Sequence, residues 1–149
     1  MVGMNDLYEL KCIDRFVVAN ILNVVKAISA GQPDAQFILH GILPRKDKPS
    51  SESQFLGQIW HRAQAVNLQL RKFCEHKMNM HYMQAGPLFM EETDQKGRRQ
   101  IDVKKMSDGI HPTVKGLEVW GDYIEKQVRS IIRESDQLKA KKKGDEEVG

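Results

Sequence analysis

The chain has 149 residues, enough for one compact domain with a real core and no more than one. A formal net charge of +3 is too small a basic excess to imply a nucleic-acid partner, and no apolar run approaches the length of a membrane-spanning helix. Cys12 and Cys74 lie in helix-like stretches without metal-ligand spacing, His76 and His81 have no convergent partners for zinc, and no glycine-rich phosphate loop is present, so no metal and no cofactor are expected; a reduced, cytoplasmic setting is weakly preferred while the compartment stays open.

In chain order, Val2-Gly3-Met4-Asn5-Asp6-Leu7 reads as the end of a strand running into a loop. So short a strand needs longer partners, which is the first sign that sequence belongs upstream. A helix is expected from about Leu10 to Ala30, with Ile13, Val17, Ile21, Val24 and Ile28 on one face and Gly31 and Pro33 closing it. Ala35 to Leu43 carries the continuous apolar run Phe37-Ile38-Leu39, as suits a strand buried on both faces of a parallel sheet. A polar loop from Pro44 to Ser51 follows, and Ser51 with Gln54 forms a candidate capping box for a second helix. That helix is expected to run to about Cys74 and to bury Phe55, Ile59, Ala63, Val66, Leu70 and Phe73. Met78 to Met83 is the next strand, Gly86 to Met106 a long excursion, and Pro112 to about Ser135 the last helix, with Leu117, Trp120, Ile124, Val128 and Ile131 inward. The methionines between Met78 and Met90 are expected in the core rather than on a metal. Residues 136–149, with lysines from Lys139 to Lys143 beside Asp145, Glu146 and Glu147, read as a charged, solvated, disordered tail.

Strand and helix alternation predicts an α/β domain with a parallel sheet covered on both faces, over residues 1–135. In such sheets the crevice lies at the carboxyl ends of the strands. Ser107-Asp108-Gly109-Ile110-His111-Pro112 falls just before a helix. An aspartate three residues before a histidine, with glycine between, can fold back so that the carboxylate fixes one ring nitrogen and leaves the other as a general base. The same hexapeptide also suits a plain Asp-Gly turn ahead of a helix. Asn5 follows the putative strand end at Gly3 and could donate its amide to an oxyanion, or could sit in an ordinary Asn-Asp turn.

Gly3-x-Asn5-Asp6 after a strand and Asp108-x-x-His111-Pro112 before the last helix together resemble two sequence blocks of the SGNH (GDSL-type) hydrolases. Phe37 to Arg45 resembles the central strand and loop of platelet-activating-factor acetylhydrolase catalytic subunits and similar esterases, and Gly116 and Trp120 fit the closing helix of many members. The resemblance covers about Val2 to Ile132. It implies a three-layer α/β/α, flavodoxin-like fold and hydrolysis of a carboxylic ester, acetyl esters by default, through a serine acyl-enzyme. His111 would be base and then acid, Asp108 would orient it, Asn5 would be an oxyanion donor, and Gly3 would meet a backbone requirement. The family's Gly-Asp-Ser motif and its second, glycine-bearing block are absent. The expectation is therefore an N-terminally incomplete, inactive form. The alternatives are one half of a split enzyme completed by another chain, or a non-catalytic protein that keeps the fold for binding or assembly, homo-oligomers included.

Overall fold

A computed structural model describes residues 3–8, 13–47, 56–91 and 99–147, with side chains as far as Leu138 and at Ala140. Its regular elements are helix α1 (Met4–Tyr8), helix α2 (Asp14–Ala30), strand β1 (Phe37–His40), helix α3 (Gln58–Cys74), strand β2 (Met80–Met83), a 3₁₀ turn (Gly86–Phe89), the short strands β3 (Met90–Glu91) and β4 (Gln100–Ile101), and helix α4 (Val114–Glu147). β1 and β2 pair in parallel, Phe37 opposite Met80 and His40 opposite Met83, while β3 and β4 form a small antiparallel pair. The α3 crossover between β1 and β2 is what parallel pairing demands, since no tight turn can join parallel strands. The chain is thus an α/β protein. Among the described residues no helix is long and apolar enough to cross a membrane.

Strand alternation distributes the core to two sides. Leu39 packs with Leu7 of α1, Val17 and Ile21 of α2 and Ala63, Val66 and Leu70 of α3. The next residue, His40, turns the other way and meets Trp120 of α4, whose indole also lies edge-on to Phe89. A second cluster of Leu43, Ala85, Phe89, Ile101 and Met106 fills that side.

The helices differ from their sequence reading in informative ways. Met4–Tyr8 is helical rather than a loop. It is held by Leu7, which is fully buried, and by Arg62, whose Nη1 donates to the Leu7 carbonyl and whose Nε pairs with Asp14. On α2 only Val17 and Ile21 of the expected face are buried; Ile13, Val24 and Ile28 are exposed, because Val18, Leu22 and Val25 supply the rest of the seam. Gly31 does close α2, but with a right-handed φ of −82° that any residue could adopt. The expected capping box at Ser51 and Gln54, and Phe55 and Cys12, lie outside the described residues. α3 instead takes its cap from Asp47, whose two carboxylate oxygens accept the Gln58 and Ile59 amides at 2.8 and 3.0 Å. Its buried stripe includes Trp60, Asn67 and Cys74, which hydrophobic periodicity alone had not picked out. Met80 and Met83 are core residues, whereas Met78 is 79% exposed. α4 starts at Val114, two residues later than the expected Pro112, and continues past Ser135 to Glu147; Leu117 on its expected inner face is exposed.

Candidate functional site

The loop from Asp102 to Thr113 is built by its own short-range bonds. The Asp102 carbonyl accepts the Lys105 and Met106 amides, and the Asp102 carboxylate accepts the Lys104 amide. Thr113 is the N-cap of α4: its hydroxyl oxygen accepts the Gly116 amide and donates to the Lys104 carbonyl, and its own N–H reaches the Lys105 carbonyl. Such a cap contributes about 1 kcal/mol. Here it also nails the helix start to the loop. Gly116 belongs to the same joint, because a Cβ there would sit 2.3 Å from the Lys105 carbonyl oxygen.

Between these anchors Asp108 folds the chain back on itself. Its Oδ1 accepts the Ile110 and His111 amides at 2.8 and 2.7 Å, and its Oδ2 meets His111 Nδ1 at 2.8 Å. Gly109 turns the corner with φ +72°, where an L side chain is strained and a Cβ would strike the Lys46 stem. The Gly109 carbonyl accepts the Lys46 amide, which ties this turn to the segment leaving β1. The His111 amide and ring, with the Ile110 amide, hold the Asp108 carboxyl down to about 2, so it is a carboxylate throughout the neutral range. A carboxylate accepting from Nδ1–H fixes the histidine tautomer and leaves Nε2 as an acceptor. His111 is exposed, its side chain at 78%.

A cleft of about 440 Å³ opens beside it, lined among others by Met4, Asn5, Leu43, Arg45, His111 and Pro112. Asn5 and His111, more than a hundred residues apart in sequence, therefore line one cleft, and Asp108 stands behind His111. Gly3, with φ +101°, makes the turn into α1, and a Cβ would press on Ile21. No serine lines this cleft among the described residues; Ser107 is exposed beside the turn, Ser29 is on α2, and Ser130 and Ser135 are on α4. Among the described residues no group of three or more His, Cys, Asp or Glu side chains gathers as a metal site.

Two residues of this region went unassigned in the sequence. Asn67, buried on α3, accepts the Ile42 amide at 2.7 Å and donates to the Ile42 carbonyl at 2.9 Å, imitating a neighbouring strand just past β1. The available signal was an asparagine inside the apolar stripe of a helix. Arg45 is only 8% exposed, with its guanidinium stacked 3.7 Å from the Tyr8 ring centroid. The signal there was an arginine ending an apolar strand-to-loop segment.

No family profile and no curated protein sequence matches the chain. Solved structures do. A Streptococcus pneumonia protein, assigned provisionally as a platelet activating factor, superposes with a TM-score of 0.66 at 16% identity, over 85% of this chain and 56% of that one. The esterase domain of the ORF1 protein from the zebrafish ZfL2-1 retrotransposon superposes with a TM-score of 0.59 at 20% identity, over 80% of this chain and 61% of that one. At such identities the likeness establishes the fold alone, an α/β arrangement shared with these two structures. The chain spans less than two thirds of either structure.

Proposed function

We propose that this chain is part of a carboxylic ester hydrolase of the SGNH serine-esterase type. Asp108 orients His111, His111 is the general base, and Asn5 donates its amide to the oxyanion. The observation that carries the reading is the 2.8 Å Asp108–His111 bond at the wall of the cleft that Asn5 also lines. In this mechanism His111 Nε2 takes the proton of a serine hydroxyl as that oxygen attacks the ester carbonyl. The imidazole then gives the proton to the leaving alcohol, and the same nitrogen activates the water that releases the acyl group. Since no Gly-Asp-Ser motif exists in the sequence, the serine would come from polypeptide outside these residues, as an upstream segment or a complementing chain. The esterase unit would span residues 1–135, and its sheet would become the middle of a three-layer α/β/α sandwich by adding strands beside β1. Small acyl esters such as acetates are the proposed substrates.

The test is hydrolysis of p-nitrophenyl acetate by this chain joined to a serine-bearing segment. His111→Ala should lower kcat by at least about a thousandfold with the circular dichroism spectrum unchanged, the residue of activity coming from binding and the oxyanion donors. Full activity in that variant sinks the assignment. The 149-residue chain alone should show no turnover above background.

A further inference from the structure

We infer that Arg45 makes the cleft an oxyanion-recognition site, so that its ligand carries a carboxylate or phosphate group next to the part that faces His111. Three observations converge on this residue. Arg45 lines the same cleft as His111 and Asn5. It is more than nine-tenths buried, yet among the described residues no carboxylate pairs with it; the described ion pairs belong to Arg62, Arg71, Lys105, His111, Lys115 and Arg129. Its Nε is buried and has no hydrogen-bond partner among the described residues.

A buried guanidinium without a counter-ion costs several kcal/mol, and a buried N–H without an acceptor adds to that. A protein that only needed to fill this space would do better with an apolar side chain. The charge is held rather than tolerated: the guanidinium carbon lies 3.7 Å from the Tyr8 ring centroid, a cation–π contact that supplies no acceptor to the N–H donors. Two carboxylates of the adjoining segments are engaged elsewhere. Asp47 caps α3, and Asp108 is taken by His111 and two amides. The acceptor that a planar fork of N–H donors matches is a two-oxygen anion, a carboxylate or a phosphate. The rest of the wall, Met4, Leu43, Ile110 and Pro112, is apolar and would seat the uncharged part of the ligand.

For the substrate this deepens, and rests on, the esterase reading: the preferred ester would be one with a negative charge on its acyl or alcohol part. The anion site itself can be tested without catalysis. Inorganic phosphate and, separately, sodium acetate are titrated into the 149-residue chain while the Arg45 Nε–H and His111 ring resonances are followed, with sodium chloride at matched ionic strength as reference. The expected result is a saturable shift of both resonances by at least one of the two anions and none by chloride; which anion saturates at lower concentration distinguishes a phosphate-bearing from a carboxylate-bearing ligand. Arg45→Gln should weaken that binding at least about tenfold, as loss of a charge-assisted fork does, and Arg45→Lys should restore only part of it. A linear, unsaturated response at Arg45 equal to that of chloride overturns the proposal, even if Arg45→Gln fails to fold. So does unchanged affinity in a folded Arg45→Gln. Anion binding in a protein whose serine-completed form hydrolyses no ester would instead overturn the esterase reading and leave this site standing.

Discussion

Asp108 does two jobs with one carboxylate, and they can be separated by acid. One oxygen holds two backbone amides and so makes the turn; the other holds the His111 ring. Because the folded protein keeps this carboxyl at about 2, below its ordinary 3.8, the stabilisation it gives the turn is fully present above the unfolded value and is lost as the pH falls through about 2. The Ile110 and His111 amide resonances should therefore share an acid transition with a midpoint near 2, the pH at which the carboxylate that both amides donate to is protonated. A midpoint at 3.8 or above would mean that the carboxylate does not hold the turn in solution. His40 shows the opposite logic on the inner side of the sheet. Its Nδ1 faces the Gly41 carbonyl while Nε2 accepts from the Trp120 indole, so both nitrogens of a neutral ring are used. Burial accordingly lowers its pKa, only partly offset by the bond to Gly41. That ring is a structural pin between β1 and α4, whereas the exposed His111 has only its Nδ1 engaged among the described residues.

At the scale of elements, the joints that matter are made across the sequence. Asn67 is the clearest, since it gives both backbone groups of Ile42 a partner at the point where β1 ends and the cleft segment begins. Asn67→Leu keeps the volume and the stripe but strands a buried N–H and C=O, which should destabilise the chain by about 2–4 kcal/mol. Urea unfolding of the full chain would measure it, and a loss under about 0.5 kcal/mol would mean that water replaces the side chain at no cost. The same joint explains what the sequence could and could not reveal. The Asp108–His111 turn spans three residues and is closed by its own bonds, so its spacing was enough to read it. The helix stripes and the apolar run at Phe37 were legible because burial imposes a period on them. Asp47 on the start of α3, Asn67 on Ile42, Trp120 on His40 and Tyr8 on Arg45 are partners far apart in the chain, and no local pattern announces such pairs. α1 went unread for a related reason: a five-residue helix has little propensity of its own and depends on Arg62 and the burial of Leu7.

On the scale of the whole molecule, one edge of the parallel sheet decides how complete the fold is. A strand in a parallel sheet points alternate backbone groups to its two neighbours. Phe37 and Gly41 donate to the β2 side, through the Asn79 and Met83 carbonyls, so the Ile38 and His40 groups point to the opposite edge. Among the described residues no strand pairs there, although β1 carries the apolar run expected of a strand with neighbours on both sides. Nearby α2 leaves Phe16, Val24 and Ile28 exposed. In hydrogen exchange of this chain, the Phe37 and Gly41 amides should be protected and the Ile38 and His40 amides should exchange at least about a hundredfold faster, since only the former are in a ladder. In the serine-completed protein the slow set should widen to include Ile38 and His40, as the added strand takes up their N–H groups. Equal protection of all four amides in the chain by itself would mean that the edge is already covered, and the three-layer reading would then need a different place for its remaining strands.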